Sequence, residues 1–169
     1  MGKHETQSAE AHYKVRLLLD HDGTLNIACE FLPMDTTTTT AQPARVRIAS
    51  QRVNPQDPMF FHKTTHRPLF AETLKAATQA GYDDVLFLNL RGEITEGAIH
   101  NIFVEKGGRL FTPPVDCGLL PGVYRRHILQ TLSNVEERVL YLKDLHEADA
   151  VHLTNAVRGL RLAVIDWES

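Results

Sequence analysis

Four short stretches carry residue types that could do chemistry together. Lys63 follows the run Met59-Phe60-Phe61-His62; on a strand of that character its amine is partly desolvated, which favours the uncharged, nucleophilic form. The same lysine also reads as an edge-strand residue whose amine reaches water. Glu96 stands before Gly97, and a glycine there lets a backbone or a flat ring come close to the carboxylate. Such a carboxylate can hold the proton of a pyridine-type ring nitrogen, or it can be an exposed turn residue. Leu120-Pro121-Gly122 opens a helix whose first free N–H groups, at Val123 and Tyr124, suit an anion the size of a phosphate. Many helices begin in this way and bind nothing. Thr154 and Asn155, after an apolar run, offer a hydroxyl and an amide that could donate to the same anion or cap a turn.

The chain that must position these groups has 169 residues, 43% of them hydrophobic, enough for one substantial core and a small appended lobe. A formal net charge of −3 with scattered basic residues gives no field that would draw in nucleic acid or an anionic membrane. Cys29 and Cys117 are far apart and outside any C-x-x-C pattern, so neither a disulfide framework nor a zinc site is expected, and a reducing cytoplasm fits. No apolar run is long enough to span a bilayer.

In order, residues 1–12 read as a disordered tail. Tyr13 to Asp20 and Leu25 to Phe31 flank an Asp-Gly turn and read as a hairpin. Residues 33–43, with the threonine run Thr36 to Thr40, read as an exposed connection. Strands follow at Arg45 to Arg52 and Met59 to Lys63, a helix at Leu69 to Ala80 closed by Gly81, and a buried strand at Asp84 to Leu90. His100 to Glu105 and Arg109 to Thr112 form a second hairpin, and a helix runs from residue 122 to about Leu132. Arg138 to Leu142 is expected as a strand, Lys143 to Glu147 as a short helix, and Ala150 to Thr154 and Leu160 to Asp166 as the last strands. The fold class is α+β with many hairpins. The expected division is a tail over 1–12, a hairpin and linker over 13–58, and a ligand-binding domain over 59–169.

The series E-G-x-x-x-N-I-F at Glu96 to Phe103, T-P-P at Thr112 to Pro114 and G-L-L-P-G-x-x-R at Gly118 to Arg125 closely resembles the class IV, fold-type IV family of pyridoxal-phosphate enzymes. His62-Lys63-Thr64-Thr65 and the segment Thr154 to Gly159 are most similar to its 4-amino-4-deoxychorismate lyase branch, the family also holding branched-chain and D-amino-acid aminotransferases. The resemblance implies a mixed or antiparallel β pseudo-barrel with flanking helices, a pyridoxal phosphate cofactor and a small-molecule amino substrate. It implies that Lys63 bonds the cofactor and moves protons, that Glu96 faces the ring nitrogen, and that Val123, Tyr124, Thr154 and Asn155 hold the phosphate. Arg158, with Arg67 as its competitor, is implied as the partner of a substrate carboxylate. The N-terminal lobe usual in the family is not found, which leaves a fragment of a longer enzyme, a half-enzyme completed by another chain, or a relic. Apolar surface left open in this way favours a homo-oligomer or a completing partner chain.

Two other classes are weighed. Leu17 to Leu25, LLLDHDGTL, is similar to the first motif of haloacid-dehalogenase-type phosphatases, with Asp20 as nucleophile and Asp22 as acid/base around Mg²⁺. The helical crossovers and the later acidic pair which that fold requires are missing, so turn chemistry is the better reading. A non-catalytic interaction module would retain the core pattern and have no use for Lys63.

Overall fold

The computed structural model describes residues 11–32 and 42–167. The expected tail over 1–10 and most of the threonine-rich connection lie outside the described residues. Two compact units divide at Ala41 and Gln42.

The first unit is a hairpin, with β1 (His12–Leu19) antiparallel to β2 (Leu25–Leu32). Its register pairs Tyr13 with Phe31, Val15 with Cys29, Leu17 with Ile27 and Leu19 with Leu25. Alternation therefore gathers these apolar side chains on one face. At the tip, Asp22 Oδ1 accepts from the Thr24 amide at 2.9 Å and Asp20 Oδ2 from Asn26 Nδ2 at 2.8 Å. Both carboxylates serve the exposed turn, and the strand-then-helix setting a phosphatase nucleophile needs does not follow them.

The second unit is built on one mixed sheet of order β5-β4-β3-β10-β9-β6-β7-β8. Its strands are β3 (Ala44–Val53), β4 (Asp84–Asn89), β5 (Ile94–Gly97), β6 (Asn101–Lys106), β7 (Arg109–Thr112), β8 (Val135–Glu137), β9 (Ala150–Asn155) and β10 (Gly159–Asp166). Pairing is parallel at β10/β3, β3/β4 and β7/β8 and antiparallel elsewhere. The two ends of this order meet where the Ile94 amide, on β5, donates to the Leu140 carbonyl, just beyond β8, at 2.7 Å. The sheet is thus curled into a half-barrel around Val46, Leu86, Leu88, Ile102, Val104 and Leu153, all almost fully buried.

On the other face, α1 (Pro68–Gln79) lays Phe70 and Ala77 over Val85 and Phe87. Elsewhere on the sheet, α2 (Val123–Thr131) brings Ile128 to Phe103 and Leu110. Burial of a side chain such as Phe87 or Phe103 is worth about 1.5–3 kcal/mol, so each helix is held mainly by two or three such contacts. A third helix, α3 (Leu142–His146), closes the core through Leu145.

Three expectations are corrected. Met59 to Lys63 is not a strand: Pro58 to Phe61 makes a 3-10 turn, because Pro58 occupies its first position and Asp57 Oδ1 caps the Met59 amide at 2.9 Å. Lys63 follows that turn on an irregular segment and is exposed, so desolvation on a strand is not what sets its chemistry. The last short strand before α3 is Val135 to Glu137; Arg138 to Leu140 leaves regular pairing to close the half-barrel. Finally, β3 sits in the middle of the main sheet, between β10 and β4. The second unit therefore starts at Gln42 and not near residue 58.

Candidate active site

A cavity of about 240 Å³ lies at the ends of β5, β6 and β9, between the Lys63–Arg67 segment and the start of α2. Glu96, on β5, is 3% exposed and projects into it. Its Oε1 accepts from Arg67 Nη2 at 2.5 Å and its Oε2 from Asn101 Nδ2 at 3.3 Å. Burial pushes Glu96 up to about 7, against the opposing pull of the Arg67 guanidinium, the Leu120 backbone and the Lys63 ammonium. A carboxylate so placed is costly to ionise alone and gains from any further cation brought beside it. Arg67 itself lies across the ring of Phe70, its guanidinium carbon 3.9 Å from the ring centroid.

The opposite wall is the Leu120-Pro121-Gly122 turn and the first residues of α2. Gly122 is the N-cap and no side chain caps the helix, which leaves N–H groups at Val123 and Tyr124 for an anion. Gly122 is required for a second reason, since a Cβ at this position would overlap Asn101 Oδ1. Asn101 Nδ2 donates to the Leu120 carbonyl at 2.9 Å. Asn101 therefore ties the carboxylate wall to the anion wall. The helix start is anchored from below by Arg125, whose buried guanidinium donates to the Pro113 carbonyl at 2.7 Å and pairs with Glu137.

The structure brings Lys63, Glu96, Val123, Tyr124, Thr154 and Asn155 to this cavity. Two of them are already engaged. Thr154 Oγ1 donates to the Gly159 carbonyl at 2.9 Å, and Asn155 Oδ1 accepts from the Val157 and Arg158 amides at 3.0 and 2.9 Å. Both shape the β9–β10 turn, and the Asn155 Nδ2 donor is held by the Ile99 carbonyl at 3.4 Å, so the helix amides are left as the principal anion donors. Arg158 is exposed on that turn and does not line the cavity. Arg67 does line it, but its charge goes to Glu96 and not to an outside carboxylate.

A flat pyridine ring bearing a phosphate and an aldehyde fits this set of groups. The phosphate would be held by the Val123 and Tyr124 amides beside a glycine with little room for a side chain, the ring nitrogen would face the buried Glu96 carboxylate, and the Lys63 amine lines the same cavity. Sequence reasoning missed Asn101 although it lies within E-G-x-x-x-N-I-F; the signal available was an amide residue spaced between the carboxylate and the turn. Its two partners are 5 and 19 residues away in sequence, and only the fold joins them.

Known proteins share the sequence pattern and the fold. A protein of Thermotoga maritima named as a branched-chain-amino-acid aminotransferase is 38% identical over 81 residues, 46% of this chain and 30% of that protein. A solved structure named as an amino-acid aminotransferase from Mesorhizobium loti superposes with a TM-score of 0.80 at 34% identity, over 91% of this chain and 73% of the other. One named as a 4-amino-4-deoxychorismate lyase from Legionella pneumophila superposes with a TM-score of 0.71 at 26% identity, over 85% and 54%. The chain thus spans about a third of the length of the curated relative. Among the described residues no helix is long and apolar enough to cross a membrane. Residues 5–163 match the family model for amino-transferase class IV, and the chain belongs to that family of pyridoxal-phosphate-dependent proteins.

Proposed function

We propose that this chain binds pyridoxal phosphate through Lys63, Glu96 and the Val123 and Tyr124 amides and uses it on a small primary-amine substrate. The observation that carries the reading is the buried Glu96 carboxylate, held by Arg67 and Asn101 on the wall facing free helix amides, with Lys63 at the same cavity. When bound, the cofactor supplies an electron sink that makes a C–H bond beside the substrate nitrogen acidic. The amine of Lys63 takes that proton and can return it at another atom. Glu96 places fixed negative charge against the ring nitrogen. The α2 amides and the Gly122 backbone fix the phosphate, which sets the ring relative to Lys63. Ile99, Val123 and Ala156 give the mouth of the cavity apolar walls.

For the reaction itself we propose lyase chemistry on 4-amino-4-deoxychorismate. Lys63 removes the ring proton at the amine-bearing carbon, the ring C–O bond breaks, the enol leaves and takes a proton at its methylene carbon, and the products are p-aminobenzoate and pyruvate. The segment Thr154 to Gly159 and the 85% coverage by the Legionella structure support it. Amino-acid transamination is the second reading, supported by the names of the Thermotoga and Mesorhizobium proteins. One assay separates them. The cofactor-loaded protein is given 4-amino-4-deoxychorismate in one arm and branched-chain amino acids with 2-oxoglutarate in the other. Release of p-aminobenzoate with equimolar pyruvate, lost in Lys63→Ala, is expected; formation of branched-chain oxo acids alone would replace the lyase by the aminotransferase.

A further inference from the structure

Beneath the cavity a buried polar pair holds the turn on which Glu96 depends. Asp84 opens β4 and is fully buried. Its Oδ1 accepts from the Val85 amide at 2.8 Å and the Ala98 amide at 2.9 Å, and its Oδ2 lies 2.7 Å from His100 Nδ1. His100 is 5% exposed, lines the cavity, and its Nε2 has no hydrogen-bond partner. The His100 carbonyl in turn accepts from the Gly97 amide at 2.7 Å. A Cβ on Gly97 would overlap Asp84 Oδ2, so the glycine next to Glu96 is needed to let this carboxylate in. One carboxylate thus meets residues 98 and 100 of the connection between β5 and β6, and the strand residues Glu96 and Asn101 on either side of it hold each other.

We infer that Asp84 and His100 are a positioning pair: they lock the β5–β6 turn so that Glu96 and Asn101 face the ring-nitrogen end of the cavity. The inference rests on the cofactor reading proposed above. An ionised Asp84 requires a hydrogen on Nδ1 of the imidazole, and since Nε2 has no partner the Nδ1 hydrogen bond is the ring's only polar tie. A buried carboxylate with its donors in place is stable, and removal of one donor leaves an unsatisfied acceptor in the core. The turn then relaxes, and the cost falls on the orientation of Glu96. Neither residue touches the transferred proton, so both act through Glu96.

The test compares wild type with His100→Asn and His100→Leu. The asparagine amide can stand in for Nδ1, while leucine retains bulk and loses the donor. Two quantities are read: hydrogen exchange of the Gly97 and Ala98 amides in cofactor-free protein, and pyridoxal phosphate affinity from its absorption change. In His100→Leu the two amides should exchange at least about tenfold faster, about 1.4 kcal/mol of lost protection, and cofactor affinity should fall by a similar factor. His100→Asn should stay within about threefold of wild type, a change smaller than 1 kcal/mol. If His100→Leu does not fold, His100→Met takes its place, since it also fills the space and offers no donor to Asp84. The pair is refuted if exchange and affinity are unchanged in His100→Leu, or if His100→Asn is as impaired as His100→Leu. Absence of cofactor uptake by wild type would overturn the cofactor reading alone, because the exchange measurement judges the turn without it.

Discussion

Replacement of Glu96 by glutamine gives the most quantitative test of the site's electrostatics. Glu96 ordinarily titrates at 4.5 and burial pushes it up to about 7. In the unfolded chain it ionises at its ordinary value, so between these limits the folded state binds more protons than the unfolded one. Stability from this group is fully present below pH 4.5 and is lost as pH rises through about 7. At about 1.4 kcal/mol per decade the loss amounts to about 3 kcal/mol. Because the side chain is 4% exposed, solvent screening takes little away from that figure. The assay is urea denaturation of cofactor-free wild type and Glu96→Gln at a series of pH values. All other titrating groups are common to both proteins, so the difference between the curves isolates Glu96. With a slope of about 2 kcal/mol per molar urea, the variant should gain about 1.5 M in midpoint relative to wild type between pH 4 and pH 8. Parallel curves across that range would refute the claim that a buried, hard-to-ionise carboxylate forms the ring-nitrogen wall.

Arg67→Met removes the cation that pulls Glu96 down; the pH at which the cofactor-free protein loses this stability should move above about 7, and an unchanged midpoint would show that the ion pair does not govern Glu96. Gly122→Ala drives a methyl group into Asn101 Oδ1, so phosphate competition against pyridoxal phosphate should weaken and affinity fall at least about tenfold, or 1.4 kcal/mol, while Val123→Ala, which leaves the helix amides in place, should bind nearly as wild type. Asn101→Ala removes one of two donors to the Leu120 carbonyl, which still accepts from the Gly122 amide, and the Asn101 donor to Glu96, a loss of about 0.5–1.5 kcal/mol in melting experiments that Asn101→Asp should not restore, since a second carboxylate beside Glu96 repels it.

Much of the sheet could be read from local pattern: the continuous apolar run of β4, the glycine turn between β6 and β7, and Gly81 with φ of +85° after α1. Glu96, Val123 and Tyr124 were also accessible, because each sits in a short motif whose chemistry is local. What pattern could not give was competition and distance. Phe60 and Phe61 are strand-prone, yet Pro58 and the Asp57 cap turn them into a 3-10 segment. Arg67 looked like a free cation, but its partner is 29 residues away and brought to it by the fold. Thr154 and Asn155 offer the expected donor atoms, but Thr154 Oγ1 donates within the β9–β10 turn and Asn155 Nδ2 donates to the Ile99 carbonyl. Asp84 stands beside Asp83 in an acidic pair that suggests surface, whereas Asp83 serves the Arg45 amide and Asp84 is buried under the Gly97–Asn101 turn.

Lys63 is proposed as the residue that holds the cofactor. This role is tested by incubating the protein with pyridoxal phosphate, reducing the adduct with borohydride and mapping the modified peptide by mass spectrometry. A single phosphopyridoxyl group on Lys63, absent from Lys63→Ala and weakened in Glu96→Gln, is expected. Modification spread over other lysines, or equal labelling of Lys63→Ala, would contradict it.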